Sequence, residues 1–188
     1  VVTIDLHAGQ IQGFFDIPLD NLLGVPILSD YIETKGLKDI VVVSPDLGGV
    51  TRARQLADRL EAPIAIIEKR RPMPGVAEVM NLIGSIEGKT AVIVDDIVDT
   101  AGSLVEGAKA LGKFGAKEVY ACCTHAILSD PAIARVEASN IKELIITDTI
   151  PLAEEKKSSK IKILSVAPVF AEAIELIYGQ KSVSKLFR

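Results

Sequence analysis

The sequence predicts a single α/β domain, a parallel sheet with helices on both faces. Three observations carry that expectation. Short β-branched apolar runs recur along the 188 residues, each followed by a stretch with helical spacing, which is the alternation of βαβ units. Most of those runs are apolar at consecutive positions, as strands buried on both faces are. With 48% hydrophobic residues, a chain of this length can bury one sizeable core, so one domain over residues 1–188 is expected.

The elements follow in order. Val1 to Asp5 reads as a strand. Asn21 to Lys35 reads as a helix made irregular by Gly24 and Pro26, because proline removes a donor and crowds the preceding turn. Strands are expected at Ile40 to Ser44, Ile64 to Lys69, Thr90 to Asp95, Glu118 to Thr124, Glu143 to Thr147 and Ile161 to Val166. Val50, Ala53, Leu56, Ala57 and Leu60 share one helical face, as do Leu104, Ala108 and Leu111, and a last helix carries Phe170, Ala173, Ile174 and Ile177. Gly36, Gly115 and Gly179 stand where these helices should stop in a left-handed cap. Arg70 to Glu78, with Pro72, Pro74 and Gly75, is expected to be a loop, and Glu154 to Lys160 a solvated one.

Composition removes several function classes. The formal charge is −4 and no basic run exceeds Lys69-Arg70-Arg71, so no extended face exists for a polyanion. Aromatic residues make up 4% and Trp is absent, which argues against base-stacking platforms; no nucleic-acid partner is expected. No apolar stretch approaches a membrane span, and no membrane partner is expected either. The only cysteines, Cys122 and Cys123, are adjacent in an apolar run. Strand neighbours point to opposite faces and cannot pair with each other, which fits a reducing cytoplasm. The abrupt apolar start, Val1-Val2-Thr3-Ile4-Asp5-Leu6, suggests a cut through a longer chain.

The most informative stretch is the apolar run from Thr90 that ends in Asp95-Asp96-Ile97-Val98-Asp99-Thr100-Ala101-Gly102-Ser103-Leu104. It reads as a strand, two carboxylates, a small-residue turn and a helix start. Ligands of open parallel sheets bind beyond the carboxyl ends of strands, where a helix N-terminus offers unpaired N–H groups. A phosphate fits Asp99, Thr100, Ala101, Gly102 and Ser103: the two hydroxyls are donors, and Gly102 admits close backbone approach. Asp95 and Asp96 are acceptors suited to the vicinal hydroxyls of a sugar. Asp99 beside a phosphate is repelled, and is expected to face away or to cap the helix.

This stretch resembles the phosphoribosyl-pyrophosphate motif shared by type I phosphoribosyltransferases and ribose-phosphate pyrophosphokinases. Three further stretches resemble the pyrophosphokinases in particular: Asp5-Leu6-His7-Ala8-Gly9-Gln10, Ser44-Pro45-Asp46-Leu47-Gly48-Gly49 and Lys69-Arg70-Arg71-Pro72. With the closing Ser182-Val183-Ser184, the likeness runs over essentially the whole chain. It departs at Ser103, where the family commonly has Thr and the hydroxyl is kept.

The resemblance implies a type I phosphoribosyltransferase-like fold and a reaction. The diphosphoryl group of magnesium-bound ATP passes to the anomeric hydroxyl of ribose 5-phosphate, giving phosphoribosyl pyrophosphate and AMP. It implies His7 and Asp46 at the Mg2+ site, Lys69 and Arg71 as catalytic cations of a lid, and Ser182, Ser184 and Arg52 at a regulatory phosphate site. Asp5, Asp16 and Asp20 could line a second cation site, while His125 reads as structural. The family's N-terminal domain is absent from these residues, so the ATP site is expected to be incomplete while ribose 5-phosphate still binds. The family forms hexamers, hence a homo-oligomer is expected. Two alternatives remain at this point, a type I phosphoribosyltransferase and a non-catalytic regulatory sugar-phosphate binder.

Overall fold

In the computed structural model, residues 1–70 and 79–187 are described. The chain opens with β1 (Val2–Ile4) and β2 (Asp20–Leu22), followed by α1 (Val25–Thr34), β3 (Ile40–Ser44), α2 (Val50–Arg59), β4 (Ile64–Arg70) and β5 (Val79–Ile83). The second half runs β6 (Thr90–Val98), α3 (Gly102–Lys113), β7 (Glu118–Ala126), α4 (Ala132–Ala138), β8 (Ile141–Thr147), β9 (Ile161–Leu164) and α5 (Ala167–Tyr178).

Seven strands form the main sheet in the order β5-β4-β3-β6-β7-β8-β9. Every pairing in it is parallel except β4 with β5. Helices cover both faces, which explains the continuous apolar runs. Val42, Val92, Val94, Cys122 and Ile145 pack with residues of α1 and α2 on one side. Val41, Ile93, Ala121, Cys123 and Ile146 pack with residues of α3 and α4 on the other. Cys122 and Cys123 thus face opposite layers, both thiols are free, and burial pushes both pKa values up. Among the described residues no helix is long and apolar enough to cross a membrane.

The small parallel sheet of β1 and β2 is fastened to the main one by Asp5. This residue is 6% exposed and its carboxylate accepts from the Gly24 N–H at 3.0 Å and from the Thr124 hydroxyl. A side chain at position 24 would stand 2.7 Å from that carboxylate, so glycine is required there. His125 adds Nε2 contacts to the carbonyls of Ile4 and Asp5 at 3.2 and 3.0 Å, which gives it the structural place the sequence suggested. Asp5 is therefore a tether inside the fold.

Other expectations need correction. Asn21 and Leu22 belong to β2, and Pro26 sits in the first turn of α1, where its missing N–H costs nothing. The strand β5 and the short helix α4 were not anticipated. Gly36 and Gly115 have the left-handed φ of a cap, but beyond α5 it is Gln180 that adopts it. The proline-rich loop falls on residues 71–78, outside those described.

Candidate functional site

The chain leaves β3 through α2 toward β4, and leaves β6 through α3 toward β7 on the opposite side of the sheet. Neighbouring strands whose connections diverge in this way open a crevice at their carboxyl ends, the usual ligand position in such sheets. A cleft of about 260 Å³ lies there. Pro45 and Asp46 from the β3–α2 turn form one wall, and Asp95 with residues 97–104 forms the other.

The β6–α3 wall is an open helix start. Helix α3 begins at Gly102, and its N-cap, Ala101, has φ 56° and ψ 12° with no side-chain cap. Left-handed backbone costs a non-glycine residue about 1–2 kcal/mol. Ala101 is 4% exposed, and among the described residues nothing accepts its N–H. The first N–H groups of a helix have no intrahelical partner, and one on a cleft suits an anion. Thr100 and Ser103 are exposed beside it. Asp99 does not cap α3; it is exposed and lines the cleft.

The two adjacent aspartates are separated in role by the strand's alternation. Asp95 lines the cleft. Burial raises its pKa to about 7, and the neighbouring Asp96 carboxylate adds to the shift. Asp96, 5% exposed, is directed elsewhere: Oδ1 accepts from the Ile97 N–H at 2.8 Å. Its Oδ2 lies 2.7 Å from His7 Nδ1 and 3.2 Å from Arg52 Nη2. Burial works against ionisation of Asp96, yet the His7 hydrogen bond and the Arg52 charge hold its pKa below the ordinary value. Both carboxylates meet the Arg52 guanidinium, Asp95 at 4.0 Å and Asp96 at 3.2 Å, and of the two Asp95 lines the cleft.

His7 stands on the loop after β1 with its side chain 72% exposed. A carboxylate on Nδ1 orients the ring and leaves Nε2 as the outward donor atom, the arrangement that metal-binding histidines adopt. Across the cleft, Asp46 is exposed and its Oδ1 accepts from the Gly49 N–H at 2.9 Å. Asp46 offers the oxygen ligand that Mg2+ prefers and His7 a nitrogen; no group of three or more possible ligands occurs among the described residues.

The remaining candidates fall in different places. Lys69 belongs to β4, in register with Met80 of β5, and Arg71 lies outside the described residues. Ser182 donates to Ser184 at 2.9 Å near the C-terminus, where Lys185 is paired with Glu172 of α5. The Arg52 guanidinium lies 3.2 Å from Asp96 and 4.0 Å from Asp95. The link from His7 through Asp96 to Arg52 was not legible, since 89 residues separate its first two members.

This arrangement defines a phosphoribosyltransferase-like α/β domain. The phosphoribosyl synthetase-associated domain matches residues 69–188, and the chain belongs to that family. It is 68% identical to ribose-phosphate pyrophosphokinases of Bacillus cereus and Corynebacterium ammoniagenes, matching 100% of this chain and 59% of theirs. The crystal structure of phosphoribosylpyrophosphate synthetase from Mycobacterium smegmatis is 38% identical, with a TM-score of 0.87 over 95% of this chain and 58% of that one. The chain therefore spans somewhat over half the length of these relatives.

Proposed function

We propose that the chain carries the ribose 5-phosphate site of a ribose-phosphate pyrophosphokinase. The reaction is transfer of the diphosphoryl group of magnesium-bound ATP to the anomeric hydroxyl, yielding phosphoribosyl pyrophosphate and AMP. One observation carries the reading: the open start of α3, where the Ala101 N–H has no acceptor among the described residues, on the same cleft wall as Asp95. The names of the relatives point the same way.

The residues divide the work by charge. The N–H groups of residues 101–103 and the hydroxyls of Thr100 and Ser103 bind the 5-phosphate, while Asp95 accepts from the ribose hydroxyls and sets the sugar's orientation. The sugar is then held with its anomeric oxygen free to attack the β-phosphorus; one P–O bond forms as the P–O bond to AMP breaks, and the hydroxyl proton passes to solvent. Catalysis of such transfers is mostly positioning and electrostatic stabilisation. His7 and Asp46 hold the metal, with Asp96 orienting the His7 ring. Bound Mg2+ supplies positive charge to the polyphosphate oxygens. Lys69 and Arg71 add cationic donors for the charge that develops on the transferring group.

The direct test is 31P NMR of the protein with ATP, magnesium and ribose 5-phosphate. Ribose 5-phosphate-dependent appearance of AMP and phosphoribosyl pyrophosphate is expected from the protein at its natural length. Release of inorganic phosphate alone, at the same rate with and without the sugar, would sink the reading.

A further inference from the structure

The Thr100–Ala101 peptide has no visible reason, within its own turn, to adopt the strained direction it takes. Outside the turn there is one. Arg135, on α4, donates from Nη1 to the Thr100 carbonyl at 2.9 Å, and the same nitrogen lies 3.4 Å from where a side chain on Gly102 would begin. Arg135 does not line the cleft, so it grips the loop from behind. Among the described residues no carboxylate is paired with it.

A trans peptide is rigid and planar, with its C=O and N–H pointing in opposite directions. Pulling the Thr100 carbonyl toward α4 therefore turns the Ala101 N–H toward the cleft. The anchor itself is firm. Ala132 and Val136 of α4 are fully buried in the core. The segment leading into α4 is tied to the end of β6, since Val98 O accepts from the N–H groups of Ile127 and Leu128 at 3.0 and 3.2 Å. Lys156 Nζ holds the Leu128 carbonyl at 2.9 Å.

We propose that Arg135 is the positioning residue of the anion loop: by holding the Thr100 carbonyl outward it fixes the Ala101 N–H as a phosphate donor. The inference rests on the reading of the cleft as a sugar-phosphate site and assigns the device that preorganises it. Without the guanidinium the peptide is able to rotate, relieving the left-handed strain and presenting a carbonyl to the phosphate.

The test compares the protein with Arg135→Met and Arg135→Lys in 15N-resolved titrations with ribose 5-phosphate and, separately, inorganic phosphate. In the unaltered protein the Ala101 amide proton moves downfield with either ligand. Arg135→Met abolishes that response and weakens both ligands by the same factor, about tenfold or more, the scale of a lost charged hydrogen bond. Arg135→Lys, which keeps a cationic donor, restores most of the affinity. Arg135 is exposed and the fold is expected to survive; if amides remote from residues 98–104 move, Arg135→Gln replaces the Met variant. Unchanged affinity and an unchanged Ala101 response in Arg135→Met overturn the proposal alone. No Ala101 response in the unaltered protein, with ribose 5-phosphate bound elsewhere, overturns the site reading and the proposal together.

Discussion

Two turns face each other across the cleft, and they are built on the same plan with opposite outcomes. Each leads from the carboxyl end of a central parallel strand into a helix. In the β3–α2 turn the N–H of the buried Gly49 is taken by the Asp46 carboxylate, and the Ser44 hydroxyl donates to the Asp46 carbonyl at 2.7 Å. One N–H at its helix start, that of the N-cap residue Gly49, is thus taken from within the turn, and what the turn offers the cleft is a carboxylate. In the β6–α3 turn no side chain caps the helix and the Ala101 N–H is left open. Under the proposed reading one turn suits a cation and the other an anion, and the difference lies in whether the N–H of the N-cap residue is taken by a carboxylate of its own turn.

The largest expected effect tests whether sugar-phosphate binding belongs to the second turn alone. Lys69→Ala and Arg71→Ala should each lower turnover by about a thousandfold, because they act on charge that develops during transfer. Their ribose 5-phosphate affinity, measured by calorimetry, should stay within about twofold of the unaltered protein. A large loss of sugar affinity would show that the anion site extends beyond residues 99–103.

A smaller effect separates the two duties of Asp46. Asp46→Ala removes the acceptor for the Gly49 N–H and should cost about 1 kcal/mol in chemical denaturation. Asp46→Asn keeps a carbonyl acceptor there and should retain most of that stability, while both variants raise the magnesium concentration needed for activity. Equal stability loss in the two would mean that charge, not the hydrogen bond, supports the turn.

The smallest pair exchanges the backbone demands of the turns. Gly49→Ala brings a Cβ to 2.9 Å from the buried Ser44 hydroxyl and should destabilise by about 1–2 kcal/mol, as overpacked positions do. Ala101→Gly relieves left-handed strain but adds freedom to the unfolded chain, so stability should change by less than about 1 kcal/mol. A Tm drop for Ala101→Gly as large as that for Gly49→Ala would contradict the strain at Ala101.

The β6–α3 turn was legible in the sequence because its parts are contiguous: an apolar run, carboxylates, small residues and the face of Leu104, Ala108 and Leu111. The sheet was legible for the same reason, since continuous apolar runs mark strands buried on both faces. What escaped lacks a local signature. Strand β5, Val79 to Ile83, is short and carries Asn81 in its middle. Helix α4 has seven residues, two turns that are too few to show a period. Pro26 looked like an interruption because nothing local told a first-turn proline from an internal one. The contacts of Asp96 with His7 and of Arg135 with Thr100 span 89 and 35 residues, and only the packed sheet brings them together.

The most direct measurement is a crystal structure of the protein soaked with ribose 5-phosphate. The account predicts the phosphate within hydrogen-bonding distance of the N–H groups of Ala101, Gly102 and Ser103, with the ribose hydroxyls on Asp95 and the β3–α2 turn free of anion. A phosphate seated instead at Gly48 to Val50, with residues 99–103 empty, would contradict it.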